Sequence, residues 1–245
     1  MKIARRIVLT GLALLATGCM QVEYGIVLED DLSGTADMDL TVDLDRVART
    51  TAAVKAAFEG TGEPTEEQIE EARREIVAEM DLDDSLDTAG LRAEIESDLP
   101  DGVRLLGVDE ERDGLQRRVR MEFAFDHVNR LREFDTRWDR SGDPDGDHEG
   151  SKPFEGLEII ERDGEIIVRN DPIDPIDEIE DNMFVPDGMI ETMLQDISVT
   201  FRLETPFEVL EHNATRREGR TLIWVFDWER LRQDEPVGIF ARLKR

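Results

Sequence analysis

The chain has 245 residues, of which 39% are hydrophobic and 36% charged, and its formal net charge is −29 at neutral pH. So acidic a chain does not bind nucleic acid by neutralising phosphates, and so apolar a chain of this length is not a disordered polyanion but can bury a core. Its single cysteine, Cys19, excludes a disulfide framework within the chain.

Residues 1–6 read MKIARR and carry three positive charges, and residues 7–16 are apolar except for Thr10 and Gly11. Small residues Thr17 and Gly18 then lead into Cys19. This is the charged, apolar and small-residue sequence of an export signal over residues 1–18. Ten residues make about 15 Å of helix, half of a hydrocarbon core of about 30 Å, so the segment is too short for a permanent span. Ala16-Thr17-Gly18-Cys19 resembles a lipobox, with Ala16 where the usual leucine stands. Cleavage before Cys19 would leave its sulfur to carry a diacylglycerol. The alternative is an ordinary secretory signal with a cysteine there by chance. The Arg5-Arg6 pair suggests twin-arginine export, but its flanking residues fit poorly.

Without residues 1–18 the formal charge moves from −29 to −32. The acids are spread along the chain, which reads as a salt-adapted, solvated surface rather than one acidic face for cations or a basic partner.

Residues 20–29 alternate Val22, Tyr24 and Ile26 with polar neighbours, and residues 35–44 alternate again around a DDLSG turn. The period and the turn residues predict a hairpin that starts one residue after Cys19, with no tether between lipid and domain. Helices are predicted over 46–59, ending at Gly60; after a Thr65/Gln68 capping box, with Ile69, Ala72, Ile76, Val77 and Met80 on one stripe; and over 88–98. These form a helical insertion, 46–99. A second hairpin turns at Asp113-Gly114, a short helix follows at 128–134, and a third hairpin turns at Asp163-Gly164. Between them residues 139–152 form an acidic flexible loop. A helical turn or two is expected at 189–194, then strands at 197–204, 207–210, 221–227 and 237–242. Residues 19–245 thus read as one α+β domain: a curved antiparallel β-sheet with an inserted helical layer packed on one face.

Asp143, Asp145, Asp147 and Glu149 suggest a calcium loop, but His148 stands where an EF-hand needs glycine and Phe154 where it needs glutamate. His127, His148 and His212 have no metal-ligand spacing. No nucleophile elbow or phosphate loop is legible, and carboxylate pairs mean nothing in so acidic a chain. Asn213-Ala214-Thr215 matches a glycosylation sequon, a pattern that recurs by chance. The residues call for no enzyme, cofactor or metal.

Two stretches carry a family resemblance: CMQVEYGIVLEDDLSGTADMDLTVDLDRV at 19–47, and ISVTFRLETPFEVLEHNATRREGRTLIWVFD at 197–227. A lipidated cysteine, an immediate hairpin, a middle insertion, then a proline, an asparagine and a tryptophan-bearing strand resemble the LppM domain family of bacterial lipoproteins. The resemblance implies an α+β fold with a curved sheet, surface exposure, and lipid or glycolipid binding. Some relatives carry a C-terminal membrane helix. Here residues 237–245 read VGIFARLKR, too short and charged to span, which leaves Cys19 as the anchor.

The expected protein is therefore a non-catalytic envelope lipoprotein, exported and held at the outer face of the cytoplasmic membrane or at the outer membrane. The expected partners are the membrane, through the lipid on Cys19, and a lipid or glycolipid ligand. Val119, Met121, Phe123 and Phe125 on one strand and Val199, Phe201 and Leu203 on another are the candidate ligand-binding residues. The first rival is an envelope scaffold with a protein partner and no small ligand. The second is a hydrolase with an unrecognised site.

Overall fold

The computed structural model describes residues 20–79, 88–133, 156–170, 198–231 and 238–245. The Asp-rich loop with His148, the turns expected at 189–194 and Cys19 itself lie outside them.

The opening hairpin forms as its alternation requires. Strand β1 (Met20–Leu28) pairs antiparallel with β2 (Gly34–Asp43) from Met20↔Val42 to Leu28↔Gly34. The turn places Leu32 in the left-handed region at φ 67° with its side chain fully buried. Burying a leucine stabilises by about 2 kcal/mol, enough to offset the strain of that backbone. Asp43 then caps α1 (Leu44–Glu59) by accepting from the backbone N–H groups of Asp45 and Arg46, and Gly60 ends it in the left-handed region at φ 68°. In the capping box of α2 (Glu66–Glu79), Thr65 N–H donates to Gln68 Oε1 (2.8 Å) and Gln68 N–H to Thr65 Oγ1 (3.3 Å). Helix α3 (Thr88–Asp98) and strands β3 (Val103–Asp113) and β4 (Gln116–Phe125) follow.

The later strands are β5 (Glu158–Arg162), β6 (Glu165–Arg169), β7 (Ser198–Glu204), β8 (Glu208–His212), β9 (Arg216–Glu218), β10 (Thr221–Asp227) and β11 (Phe240–Lys244), with the short helix α4 (Trp228–Leu231) after β10. They form a seven-stranded sheet, ordered β3-β4-β2-β1-β7-β10-β9, and a four-stranded sheet, ordered β5-β6-β11-β8. The fold class is α+β, as expected from the sequence.

Three particulars differ from expectation. The large sheet is mixed rather than antiparallel, because β1 and β7 pair parallel from Gln21↔Ser198 to Val27↔Glu204. The main layer against its inner face is the second sheet: Ile166, Val168, Ala241 and Leu243, all fully buried, join Ile26, Phe123, Leu203 and Trp224 in one core. Of the helices, α3 contributes Ile95 to that core, with Leu91 and Leu99 against it. By contrast, α1 and α2 pack on each other, and Leu44, Val47, Ala48, Ala52, Ile69, Ala72 and Ile76 make a separate smaller core. The main core stops short of them because the inner face turns polar, where Glu110 bridges Arg112 (2.9 Å) and Arg117 (2.7 Å).

Candidate functional site

The outer face of the large sheet is where its polar alternate positions meet. Cross-strand pairing sets them in rows. Glu111, Arg118, Thr41 and Gln21 share one row, and Asp109, Arg120, Asp39 and Glu23 the next. At the end where β1 begins, these rows enclose an open cup of about 390 Å³. Four carboxylates line it (Glu23, Asp39, Glu111 and Asp113), together with Gln21, Thr41, Gln116 and Arg118.

Asp39 is largely buried, at 9% exposure, and is held by Arg118 from two positions along the guanidinium. Arg118 Nε donates to Asp39 Oδ1 (2.8 Å) and Oδ2 (2.9 Å), and Nη2 donates to Oδ2. The hydrogen bonds to Asp39 hold the Arg118 guanidinium above its ordinary pKa, so it stays charged. The Arg118 side chain is half exposed, so solvent screens the pair and it adds little to stability. Its larger effect is on register, since a one-residue slip of β4 would turn Arg118 to the core and leave Asp39 without its partner. With Arg118 committed to Asp39, the cup is rich in acceptors and suits hydroxyl or ammonium donors better than anions.

One row further along, Arg202 Nη2 on β7 reaches over Gly25 on β1 to Asp37 Oδ2 on β2 (2.9 Å). Gly25 leaves the space that Asp37 fills: a Cβ there would stand 2.2 Å from Asp37 Oδ1. A second concavity, about 430 Å³, opens at the far end of the sheet beside Asp126, His127, Asn129, Arg130 and Glu133. There His127 Nδ1 accepts from Asn129 N–H (3.2 Å), and its Nε2 lies 3.8 Å from Glu161 on the second sheet.

The candidate ligand-binding residues do converge, but within the main core. Met121, Phe123, Phe125 and Phe201 are 3–6% exposed and Leu203 is fully buried, with Val199 packed against them. Val119 is half-buried on the same strand face. They pack on side chains of the second sheet and α3, including Leu91, whereas Ile76 belongs to the smaller core. An apolar ligand would have to displace side chains already in contact.

Asn213, which the sequence offers as part of a chance sequon and as the asparagine of the resemblance, has a structural role that neither reading assigned. Its Oδ1 accepts from Trp224 Nε1 (2.6 Å) and Phe240 N–H (2.8 Å), and its Nδ2 donates to the Gly238 carbonyl (2.9 Å). Thr215 Oγ1 accepts from Val225 N–H (3.0 Å). The Asn213 amide thus ties β10 of one sheet to β11 of the other. The legible signal was a polar pair, Asn213 and Trp224, flanking apolar strands: a buried indole N–H needs an acceptor.

No helix among the described residues is long and apolar enough to cross a membrane. No protein-family model matches the chain, and no curated protein does. Among solved structures, the folded domain of Mycobacterium tuberculosis LppM, determined by NMR, is similar to this chain at 10% sequence identity and a TM-score of 0.46. The match covers 93% of this chain and 91% of that one.

Proposed function

We propose that this chain is an exported lipoprotein of the cell envelope, anchored through a diacylglycerol on Cys19 and non-catalytic. The observation that carries the reading is the start of β1 at Met20, directly after a cysteine that follows an export signal. An ordinary secretory signal has no need of a cysteine at the junction, whereas a lipoprotein signal requires one. Two acyl chains give stable attachment where one gives only marginal binding. The test is Cys19→Ser: the variant is expected to leave the membrane fraction or to remain unprocessed, and the intact mass of the wild type to include the lipid. A Cys19→Ser chain that is processed and fractionates like the wild type refutes the reading.

For the domain itself, the packing of Phe123, Phe125 and Phe201 at 3–4% exposure favours a scaffold or protein-interaction module over a carrier of apolar or glycolipid ligands. Native mass spectrometry across a panel of bacterial lipids separates the two. Saturable binding by the folded chain restores the carrier reading.

A further inference from the structure

We infer that one end of the large sheet, the end carrying Met20, Leu115 and the β2–α1 junction, is the surface that faces the bilayer, with the strands standing up from it. The inference rests on the anchoring reading above and adds an orientation to it. Cys19 precedes Met20 by one peptide unit, a Cα separation of about 3.8 Å, and Met20 is already paired with Val42 in the sheet. A lipid on Cys19 therefore holds a strand end, not a tether, at headgroup level.

The same end gathers three other features. The β3–β4 turn lies there, with Leu115 exposed at 38% and its carbonyl accepting from Leu44 N–H (2.9 Å). The first residue of β7 lies there as well, since Gln21 is level with Ser198. So does the last residue of β10, because Asp227 is level with Ser198; it leads into half-buried Trp228. Two strand spacings of about 4.8 Å separate Met20 from the β4 row beside the turn, so anchoring one brings the other to the interface. Leu115 is a large apolar side chain left exposed on this end, and an aliphatic residue at the headgroup boundary gains from burial there. The opposite end is built differently. The turn after β1 buries Leu32, Val128 donates its N–H to the Leu32 carbonyl (2.9 Å), and the exposed tip is Asp30-Asp31. Nine residues of β1 put that tip roughly 27–30 Å from Met20.

The test uses the full chain, lipidated in its host, purified and reconstituted into phosphatidylcholine vesicles that contain a spin-labelled, quenching phosphatidylcholine. With the Cys19 sulfur in a thioether, an introduced cysteine is the one free thiol. A polarity-sensitive fluorophore is placed at Leu115→Cys, at its turn neighbour Asp113→Cys, or at Asp30→Cys. The expected result is several-fold stronger quenching at Leu115 and Asp113 than at Asp30, with a blue-shifted emission at Leu115. Equal quenching at all three sites, or stronger quenching at Asp30, on a chain whose mass includes the lipid overturns the orientation alone. A wild-type chain that lacks the lipid mass and takes the label at Cys19 overturns the anchoring reading, and the orientation with it.

Discussion

Gly25→Ala is a substitution whose sign depends on one neighbour. The backbone at Gly25 is ordinary strand, so alanine fits the chain locally, and restricting the unfolded state should stabilise by about 0.4–1 kcal/mol. The obstacle is Asp37. A Cβ would approach its Oδ1 to 2.2 Å and its Cγ to 2.8 Å, so the carboxylate has to swing away and release Arg202. That ion pair is partly exposed, at 40% for the Arg202 side chain and 19% for Asp37, and contributes about 1 kcal/mol at most after solvent screening. An off-rotamer aspartate adds about 0.5–1.5 kcal/mol. The balance is a loss of about 1 kcal/mol in the otherwise native chain.

In an Asp37→Ala background the colliding atoms are gone, and only the unfolded-state term remains. There Gly25→Ala should stabilise by about 0.5 kcal/mol, a change of sign and a coupling near 1.5 kcal/mol. Urea unfolding of the four chains in one buffer measures this, and melting temperatures should follow at about 2–4 °C per kcal/mol for a domain of this size. If Gly25→Ala costs the same with and without the Asp37 carboxylate, the steric argument is wrong and glycine is there for another reason.

Three further outcomes follow from the packing. Asn213→Ala removes the acceptor of the buried Trp224 N–H along with a link to Phe240 of β11 and one to the Gly238 carbonyl before it, and should destabilise by about 2–4 kcal/mol; equilibrium unfolding that finds less than 1 kcal/mol would show that water replaces the amide. Asp45→Asn should weaken folding at neutral pH, because hydrogen bonds from Arg49 first and Arg73 second hold the Asp45 carboxyl below its ordinary pKa of 3.8. A depressed carboxylate stabilises above its unfolded value and loses that contribution as pH falls through the folded one, so the gap between variant and wild type should close below about pH 4; a gap that persists in acid removes the ion-pair explanation. With a formal charge of −32 after residue 18, self-repulsion opposes the compact state, and the melting temperature of the domain should rise from low to molar sodium chloride; a flat or falling curve argues against a salt-adapted surface.

Local signals in the sequence were strong where a turn or a cap fixed them. The hairpins at DDLSG, Asp113-Gly114 and Asp163-Gly164 form as read, and so do the Thr65/Gln68 box and the helix at 88–98. Long-range partners were not legible. Nothing in β1 announces that it will pair in parallel with a strand that begins at Ser198. The alternation of Met121, Phe123 and Phe125 showed which way they point, but not that a second sheet would cover them. Strand β9 reads Arg-Arg-Glu, with no apolar residue to reveal it. Strand β11 runs Phe240–Lys244 rather than 237–242, because Ala241 and Leu243 pair with β6 while the VGIF run had drawn the prediction upstream. The Asp39–Arg118 pair in the cup joins residues far apart in the chain, and only the register of β2 against β4 brings them together.

The outer face also bears on how such a chain can stand at a membrane. Arg118 and Arg202 each hold one of its aspartates, but Glu23, Asp109, Glu111 and Asp113 outnumber the remaining cations along the same rows. Surplus carboxylates need water, which is why the second sheet packs on the opposite, apolar face. Laid flat on an anionic bilayer, every row of this face would come within a Debye length of about 8 Å. Held by the start of β1, the sheet brings only its end rows within that distance, at about 3.3 Å per residue; these include Asp113 and Glu111, which is level with Gln21, while Asp37 and the rows beyond it stand in solvent. An anchor at Cys19 and an acidic sheet face are therefore compatible when the strands stand upright. The repulsion that bars a flat pose is reduced, in the upright one, to the few carboxylates of the anchored end, where Leu115 would meet the lipid.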